Sequence, residues 1–299
     1  MVINMISELS SCTLCPHMCK VNRNNGEIGR CKSSSNVKIA LASLHHFEEP
    51  CISGKNGSGT VFFSNCNLSC VFCQNYKISQ LGLGHEITTH ELANIFLEQQ
   101  KNNAENINLV TPTMYVPQII EAIKIAKENG LKIPIIYNSN GYENVETIKL
   151  LKGFIDVYLP DLKYFDNDLA KKYSGISNYF ENASKAILEM YFQVGLPVFD
   201  KNGMIKKGII IRHLVLPNHI GNSKKVLLWI KENLPQDIYV SLMAQYFPTY
   251  KAKNIEDLNR KLSKEEFEEI KKYLEKLNIH NGYFQELGEH EEEYVPDFE

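Results

Sequence analysis

The sequence predicts an α/β fold, a partial (β/α)6 barrel of parallel strands with a Cys-rich N-terminal extension. Three observations predict it. From about residue 58, short apolar runs alternate with amphipathic helical stretches. There are six such runs, each separated from the next by a helix, and parallel neighbours need crossovers of that kind. All eight cysteines lie between positions 12 and 73, and the remainder of the chain has none. Six units are too few to close an eight-fold barrel, so the barrel is expected to be open.

The first strand is expected at residues 60–64, running straight into Cys66. A helix follows from about Thr89, where Thr88 and Glu91 have capping-box spacing and Leu92, Ile95 and Phe96 share a face. Residues 107–110 read as the second strand. Val116, Ile119, Ile120, Ile123 and Ala126 then make a helical stripe that Gly130 stops. Further strands are expected at 134–137, 154–159, 207–214 and 238–242. The helices between them are expected near 145–151, 166–173, 178–194 and 224–233. Ser263 and Glu266 have the spacing to cap a last helix that turns Phe267, Ile270 and Leu274 inward. This divides the chain into a metal-supported extension over 1–57, the barrel core over 58–250, and a helical segment with an acidic tail over 251–299. Glu291 to Glu293 in that tail read as solvated.

Apolar residues at 43%, charged residues at 22% and a net charge of -3 fit a globular chain, and give no electrostatic reason for a nucleic-acid partner. The longest apolar run, 208–216, is broken by Arg212 and His213, so no membrane span is expected. Residues 1–11 lack the basic and apolar regions of a signal peptide, which places the expected location in the cytoplasm. Cysteines there stay reduced, and their clustering then points to metal ligation.

The run Cys66-Asn-Leu-Ser-Cys70-Val-Phe-Cys73 puts three thiols within eight residues, directly after a strand. Four ligands close a metal site, whereas three leave one coordination position open for a cofactor or substrate. A structural zinc knot or a chance grouping of buried cysteines is the bland alternative. With Phe72 before the last cysteine, this run resembles the signature loop of the radical S-adenosylmethionine (SAM) superfamily. The wider stretch from Gly57 to Tyr76 is similar to the branch related to pyruvate formate-lyase activating enzymes. So are Asn108-Leu-Val-Thr-Pro-Thr113, Tyr137-Asn-Ser-Asn-Gly-Tyr142, Tyr158-Leu-Pro-Asp-Leu-Lys163, Ile211-Arg-His-Leu-Val-Leu-Pro217 and Val240-Ser-Leu-Met-Ala-Gln245. The resemblance implies a [4Fe–4S] cluster on Cys66, Cys70 and Cys73 whose free iron is chelated by SAM. It implies reductive cleavage of SAM to a 5′-deoxyadenosyl radical, hydrogen abstraction from a substrate, and an anaerobic setting. An electron donor such as flavodoxin or ferredoxin is then a partner.

Sites of parallel β/α folds form at the C-terminal strand ends, where these motifs fall. Thr111 and Thr113 stand where the activating enzymes have a Gly-Gly-Glu segment on the SAM amino group; a strand-terminating Thr-Pro is the plain reading. Asn138, Ser139 and Asn140 resemble the Asp-Thr-Asn segment that helps bind SAM, with the acid replaced, and Asn140-Gly141 is also strong turn chemistry. Asp161 and Lys163 match an Asp-Leu-Lys; the resemblance makes Lys163 a SAM carboxylate contact and sets Asp161 near the substrate. Arg212, inside an apolar run, matches a SAM-contacting Arg, while His213 should face the packing side. Gln245 stands near where relatives carry a His beside adenosine.

Cys12, Cys15, Cys19 and Cys31 have spacings compatible with zinc or a second iron–sulfur cluster, for support or electron relay, or else are free thiols. Cys51 has no partner in this scheme and reads as a buried apolar residue. His45, His46, Glu48 and Glu49 read as a polar surface patch. Three functions follow in order: a glycyl-radical-enzyme activase, a radical enzyme acting on another peptide or small molecule, and a non-catalytic iron–sulfur or zinc protein.

Overall fold

The computed structural model describes residues 5–284 with Pro296 and Phe298; the expected acidic tail around Glu291 to Glu293 lies outside the described residues. The chain runs α1 (Met5–Ser10), β1 (Val37–His45), α2 (Pro50–Ser53), β2 (Ser58–Phe63), α3 (Tyr76–Ser79), β3 (His85–Ile87) and α4 (Thr89–Lys101). It continues with β4 (Ile107–Val110), α5 (Val116–Glu128), β5 (Ile135–Ser139), α6 (Val145–Leu150), β6 (Val157–Pro160), α7 (Asn167–Ser174) and α8 (Tyr179–Val194). The last elements are β7 (Val198–Phe199), β8 (Ile205–Leu214), α9 (Ile220–Asn233), β9 (Tyr239–Met243), α10 (Lys264–Lys276) and β10 (Gly282–Phe284).

The strands are ordered β10-β9-β8-β6-β5-β4-β2-β1-β3, and this path does not close on itself. β2, β4, β5, β6, β8 and β9 pair in parallel and are the six expected units. Four strands were not expected in the sheet, and one of them, β7, pairs antiparallel with β8. β10 adds a further parallel strand beside β9, and β1 and β3 extend the opposite edge antiparallel. β1 thereby ties the Cys-rich segment to the barrel.

Both expected capping boxes form, at Thr88 with Glu91 and at Ser263 with Glu266. Strand periodicity then sorts the side chains. Leu109, Tyr137, Tyr158, Ile211 and Val240 face the helices and join the main core. Ile136, Val157, Leu159 and Ile210 face the barrel interior, where they meet Cys51 and Ile52 of α2. A single helical turn thus plugs one end of the barrel. Each Ile or Leu buried there contributes roughly 1.5–3 kcal/mol. Cys51 is 3% exposed, and burial pushes its thiol up to about 11. Gly141 is dictated by crowding: at φ +79 it takes the left-handed region, and a Cβ would lie 2.0 Å from the Asp161 carbonyl oxygen.

Candidate active site

A cavity of about 240 Å³ opens at the C-terminal ends of the parallel strands. Cys66, Cys70 and Cys73 line it together with Thr111, Asn138, Ser139, Asn140, Asp161, Lys163, Arg212 and Gln245. Of the expected strand-end residues, only Thr113 is absent from the lining.

The cysteine loop is held from several sides. After β2 the chain turns at Asn65, whose φ is 72°, a left-handed value that asparagine tolerates. The Ser69 and Val71 amides then donate to the carbonyls of Ser174 and Tyr173 at the end of α7, at 3.1 and 2.8 Å. Asn67 is buried and donates to the Tyr142 carbonyl at 2.7 Å. Each sulfur has a polar neighbour suited to a thiolate. Asn140 Nδ2 and the Leu68 amide donate to Cys66 Sγ at 3.3 and 3.4 Å. Ser174 Oγ lies 2.9 Å from Cys70 Sγ, and Ser79 Oγ 3.2 Å from Cys73 Sγ. Burial pushes the Cys70 thiol up to about 11, with Lys163 pulling against it. Burial likewise raises Cys66 and Cys73. Metal-free, the loop therefore carries neutral thiols, and ligation releases protons.

Among the described residues, no three His, Cys, Asp or Glu side chains are arranged to hold a single metal ion. A four-iron cluster is wider than one ion, so its thiolates bracket it rather than converge. Three thiols, Cys70 buried and Cys66 and Cys73 half-buried, each with a hydrogen-bonding neighbour, and a nearby ammonium fit such a cluster chemically.

Behind the loop lies a charged network. Arg212 Nε donates to Asp161 Oδ1 at 3.0 Å, and Lys163 pairs with Asp161 Oδ2. Burial alone would raise the Asp161 carboxyl, but Lys163 and Arg212 outweigh it and hold it below the usual range. Burial works against charge on Lys163 too; Asp161 and Cys70 outweigh it and raise the ammonium. Arg212 also donates to Asn138 Oδ1 at 2.6 Å and to Glu48 Oε2 at 3.2 Å. Glu48 accepts from Asn108 and Asn138 as well, at 2.9 and 3.2 Å. Glu49 is 6% exposed, and burial raises its carboxyl despite Arg212.

Two expectations are corrected here. Glu48 and Glu49 do not belong to a surface patch: they enter the barrel over α2, where Arg212 makes their burial tolerable. Thr113 turns away from the cavity, because the chain winds into a short 3-10 turn at residues 113–115. Its Oγ1 donates instead to Glu143 Oε1 at 2.6 Å. Glu143, which sequence reasoning passed over, is fully buried. Desolvation pushes its carboxyl up to about 7, against the pull of the Thr113, Ser139 and Tyr137 hydroxyls. Thr111 does reach the cavity, at φ 60°, an uncommon backbone state for a β-branched residue. His213 faces the helices as expected, between the Leu162 carbonyl and Ser223.

The N-terminal cysteines sit behind the loop. Cys12 and Cys31 are near enough to Cys15 to act on it electrostatically; burial, the larger effect, raises that thiol to about 12. Cys19 Sγ accepts from the Arg30 amide at 3.4 Å. His17 Nε2 is 2.7 Å from the Asn67 carbonyl, and Arg30 donates to Ser69 Oγ at 3.2 Å. The extension therefore braces the cysteine loop directly.

An open, mostly parallel barrel with a three-cysteine loop at its strand ends defines a class, and the comparisons name it. The chain matches the radical SAM superfamily over residues 60–218 and belongs to it. Membership implies a [4Fe–4S] cluster and SAM. The chain is 35% identical to the uncharacterized protein MJ0674 of Methanocaldococcus jannaschii over 90% of its own length and 75% of that protein's. It is 26% identical to the pyruvate formate-lyase-activating enzyme of Clostridium pasteurianum, over 80% of this chain and 99% of that enzyme. Streptococcus suis SuiB, solved with its precursor peptide SuiA, shares the fold at TM-score 0.51 and 16% identity, over 76% of this chain. This chain spans only 47% of SuiB. No described helix is long and apolar enough to cross a membrane.

Proposed function

We propose that Cys66, Cys70 and Cys73 hold a [4Fe–4S] cluster and that SAM binds against it over the Lys163–Asp161–Arg212 network, for hydrogen abstraction from a substrate. The observation that carries this reading is that three thiols and two ion-paired, half-buried cations share one cavity wall. When bound and reduced, the cluster supplies the electron that cleaves SAM to a hydrogen-abstracting radical. The chain's own residues do the rest. Lys163 supplies positive charge for the SAM carboxylate, and Asp161 fixes its direction. Thr111, Asn138, Ser139, Asn140 and Gln245 supply hydrogen-bonding groups for the remainder of SAM. α2 and the inward Ile and Leu residues exclude water from below.

Within this reading the substrate is a glycyl-radical enzyme, as the activating-enzyme relative supports, or another peptide or small molecule. The replacement of Gly-Gly-Glu by Thr111, Pro112 and Thr113 stands against a simple transfer of the first role. A flavodoxin- or ferredoxin-like donor supplies the electron, and Cys12, Cys15, Cys19 and Cys31 hold a second iron–sulfur cluster or zinc. The test is anaerobic: reconstitute the chain, reduce it, add SAM and quantify 5′-deoxyadenosine, with Cys70→Ala in parallel. Product from the parent chain and none from Cys70→Ala is expected. A loaded, reducible cluster with neither product nor a SAM-induced change in its EPR spectrum overturns the reading.

A further inference from the structure

Arg23, in the Cys-rich extension, is only 2% exposed. An arginine that deep is rarely left without a carboxylate. Here Nε donates to the Ser34 carbonyl at 2.9 Å, Nη1 to the Met114 carbonyl at 2.7 Å, and Nη2 to Ser34 again. The guanidinium lies over the Tyr115 ring, 5.8 Å from its centroid. Among the described residues, no carboxylate accepts a hydrogen bond from it. Its one remaining acceptor is Cys12 Sγ, a long contact at 3.9 Å from Nη1.

Cys12 is one of four thiols that the extension gathers. The Cys12 amide donates to the Val21 carbonyl and the Lys20 amide to the Cys12 carbonyl, both at 2.9 Å, which folds the segment after Cys19 back onto Cys12. Gly29 lets the turn before Cys31 pass close to Cys19, since a Cβ there would lie 3.0 Å from Cys19 Sγ. Cys12 and Cys31 both act electrostatically on Cys15. Lys20 and Lys32, directly after Cys19 and Cys31, hold left-handed φ values of 57° and 62°, uncommon for residues with a Cβ. Leu9 and Leu14 pack on Cys12 and keep water from that side.

We propose that Cys12, Cys15, Cys19 and Cys31 carry an iron–sulfur cluster with Arg23 as its buried counter-charge. Four thiolates outnumber the positive charge of an iron–sulfur core, so the loaded centre is an anion, and ligation releases the thiol protons. The guanidinium is then a paired charge; otherwise it is set against carbonyl dipoles alone. A zinc ion on four thiolates would also be an anion, so the choice of metal rests on span. Among the described residues, no three Cys, His, Asp or Glu side chains are arranged around a single ion. An iron–sulfur core is wider and takes its thiolates farther apart. The proposal rests on the reading that these four cysteines hold a metal centre, and it is independent of the three-cysteine loop.

The test therefore combines Cys66→Ala, Cys70→Ala and Cys73→Ala in the full chain, so that no cluster forms on the loop. Reconstituted anaerobically with iron, sulfide and zinc offered together, this variant is expected to keep about two to four irons per chain and the Mössbauer signature of an iron–sulfur cluster. Should it fail to fold, the comparison is made in the parent, which is expected to hold that many more irons than Cys15→Ala. Zinc in place of iron overturns the proposal and leaves the metal centre standing; no bound metal at these cysteines overturns both. Arg23→Gln is expected to speed iron loss to a chelator about tenfold, the lower range for partners just outside the ligands, and Arg23→Lys to lose iron at least about threefold more slowly than Arg23→Gln. Equal loss from the two variants, or no change in either, overturns the role of Arg23.

Discussion

Two groups of cysteines stand back to back in this molecule, and their surroundings separate them more sharply than their spacing does. Cys66, Cys70 and Cys73 line a cavity, and each sulfur has a side-chain amide or hydroxyl beside it. Lys163 acts on Cys70, and the charge network continues from there to Arg212 and Glu48. Cys12, Cys15, Cys19 and Cys31 do not line that cavity. Burial is the main influence on Cys15, and the contacts of this group run to the loop's back through His17 and Arg30. On the proposed reading the first group would hold the reactive cofactor, while the second braces the first group's loop. Residue type alone does not distinguish them, because what differs is access and charge.

The largest test of that contrast is a pair of substitutions. Cys70→Ala is expected to lower 5′-deoxyadenosine formation by about three orders of magnitude or more, on the order of 4 kcal/mol in barrier. Cys15→Ala is expected to leave it within about threefold and to lower the melting temperature instead, by roughly 2–4 °C per kcal/mol lost. Equal loss of product in both would break the contrast and make the N-terminal group part of the electron route.

Next in size is Arg212→Ala, which leaves Asp161 and Glu48 as buried charges short of a partner. Chemical denaturation is expected to show about 3–5 kcal/mol of lost stability. Glu48→Gln is milder, since the amide oxygen still accepts from Asn108 and Asn138. It removes the charge that positions Arg212, and is expected to weaken SAM binding about tenfold, or about 1.4 kcal/mol, by equilibrium titration of the reconstituted chain.

The smallest expected effect sits between the two groups. Glu143 is bonded to Thr113 behind the cavity and acts electrostatically on Cys15. Its folded carboxyl lies near 7, above its value in the unfolded chain, so the folded state holds the proton more tightly. Stability from this group is complete below the unfolded value of about 4.3 and falls as pH rises toward 7. Glu143→Gln is expected to flatten that decline in a thermal-melt series from pH 5 to 8. An unaltered slope would show that the carboxyl does not titrate there.

Much of this was legible in the sequence, for reasons that also explain the rest. The six parallel strands and their helices announce themselves through periodicity and capping boxes, which are local. The cysteine loop and the cavity positions of Asn138, Asp161 and Arg212 follow from strand ends. β1 was hidden, because Val37, Ile39 and Leu41 are embedded in a polar, Cys-rich stretch that offered no crossover logic. β10 is only three residues long, and its partner β9 lies far back in the chain. Glu48 and Glu49 read as surface, since only an arginine 164 residues away makes their burial tolerable. The direction of Thr113 depends on a single 3-10 turn after Pro112, which a strand-end argument has no means to see.

The helical turn at α2 has a further consequence for traffic through the protein. Ile52 and Cys51 stop the barrel at one end, and the active cavity opens at the other. Among the described residues, traffic through such a chamber runs by that open end. Whatever enters deepest must wait for whatever followed it to leave, so arrivals and departures form a queue. On the proposed reading, methionine and 5′-deoxyadenosine would be released only after the substrate has cleared the entrance. Turnover would then be paced by the doorway as well as by the chemistry inside.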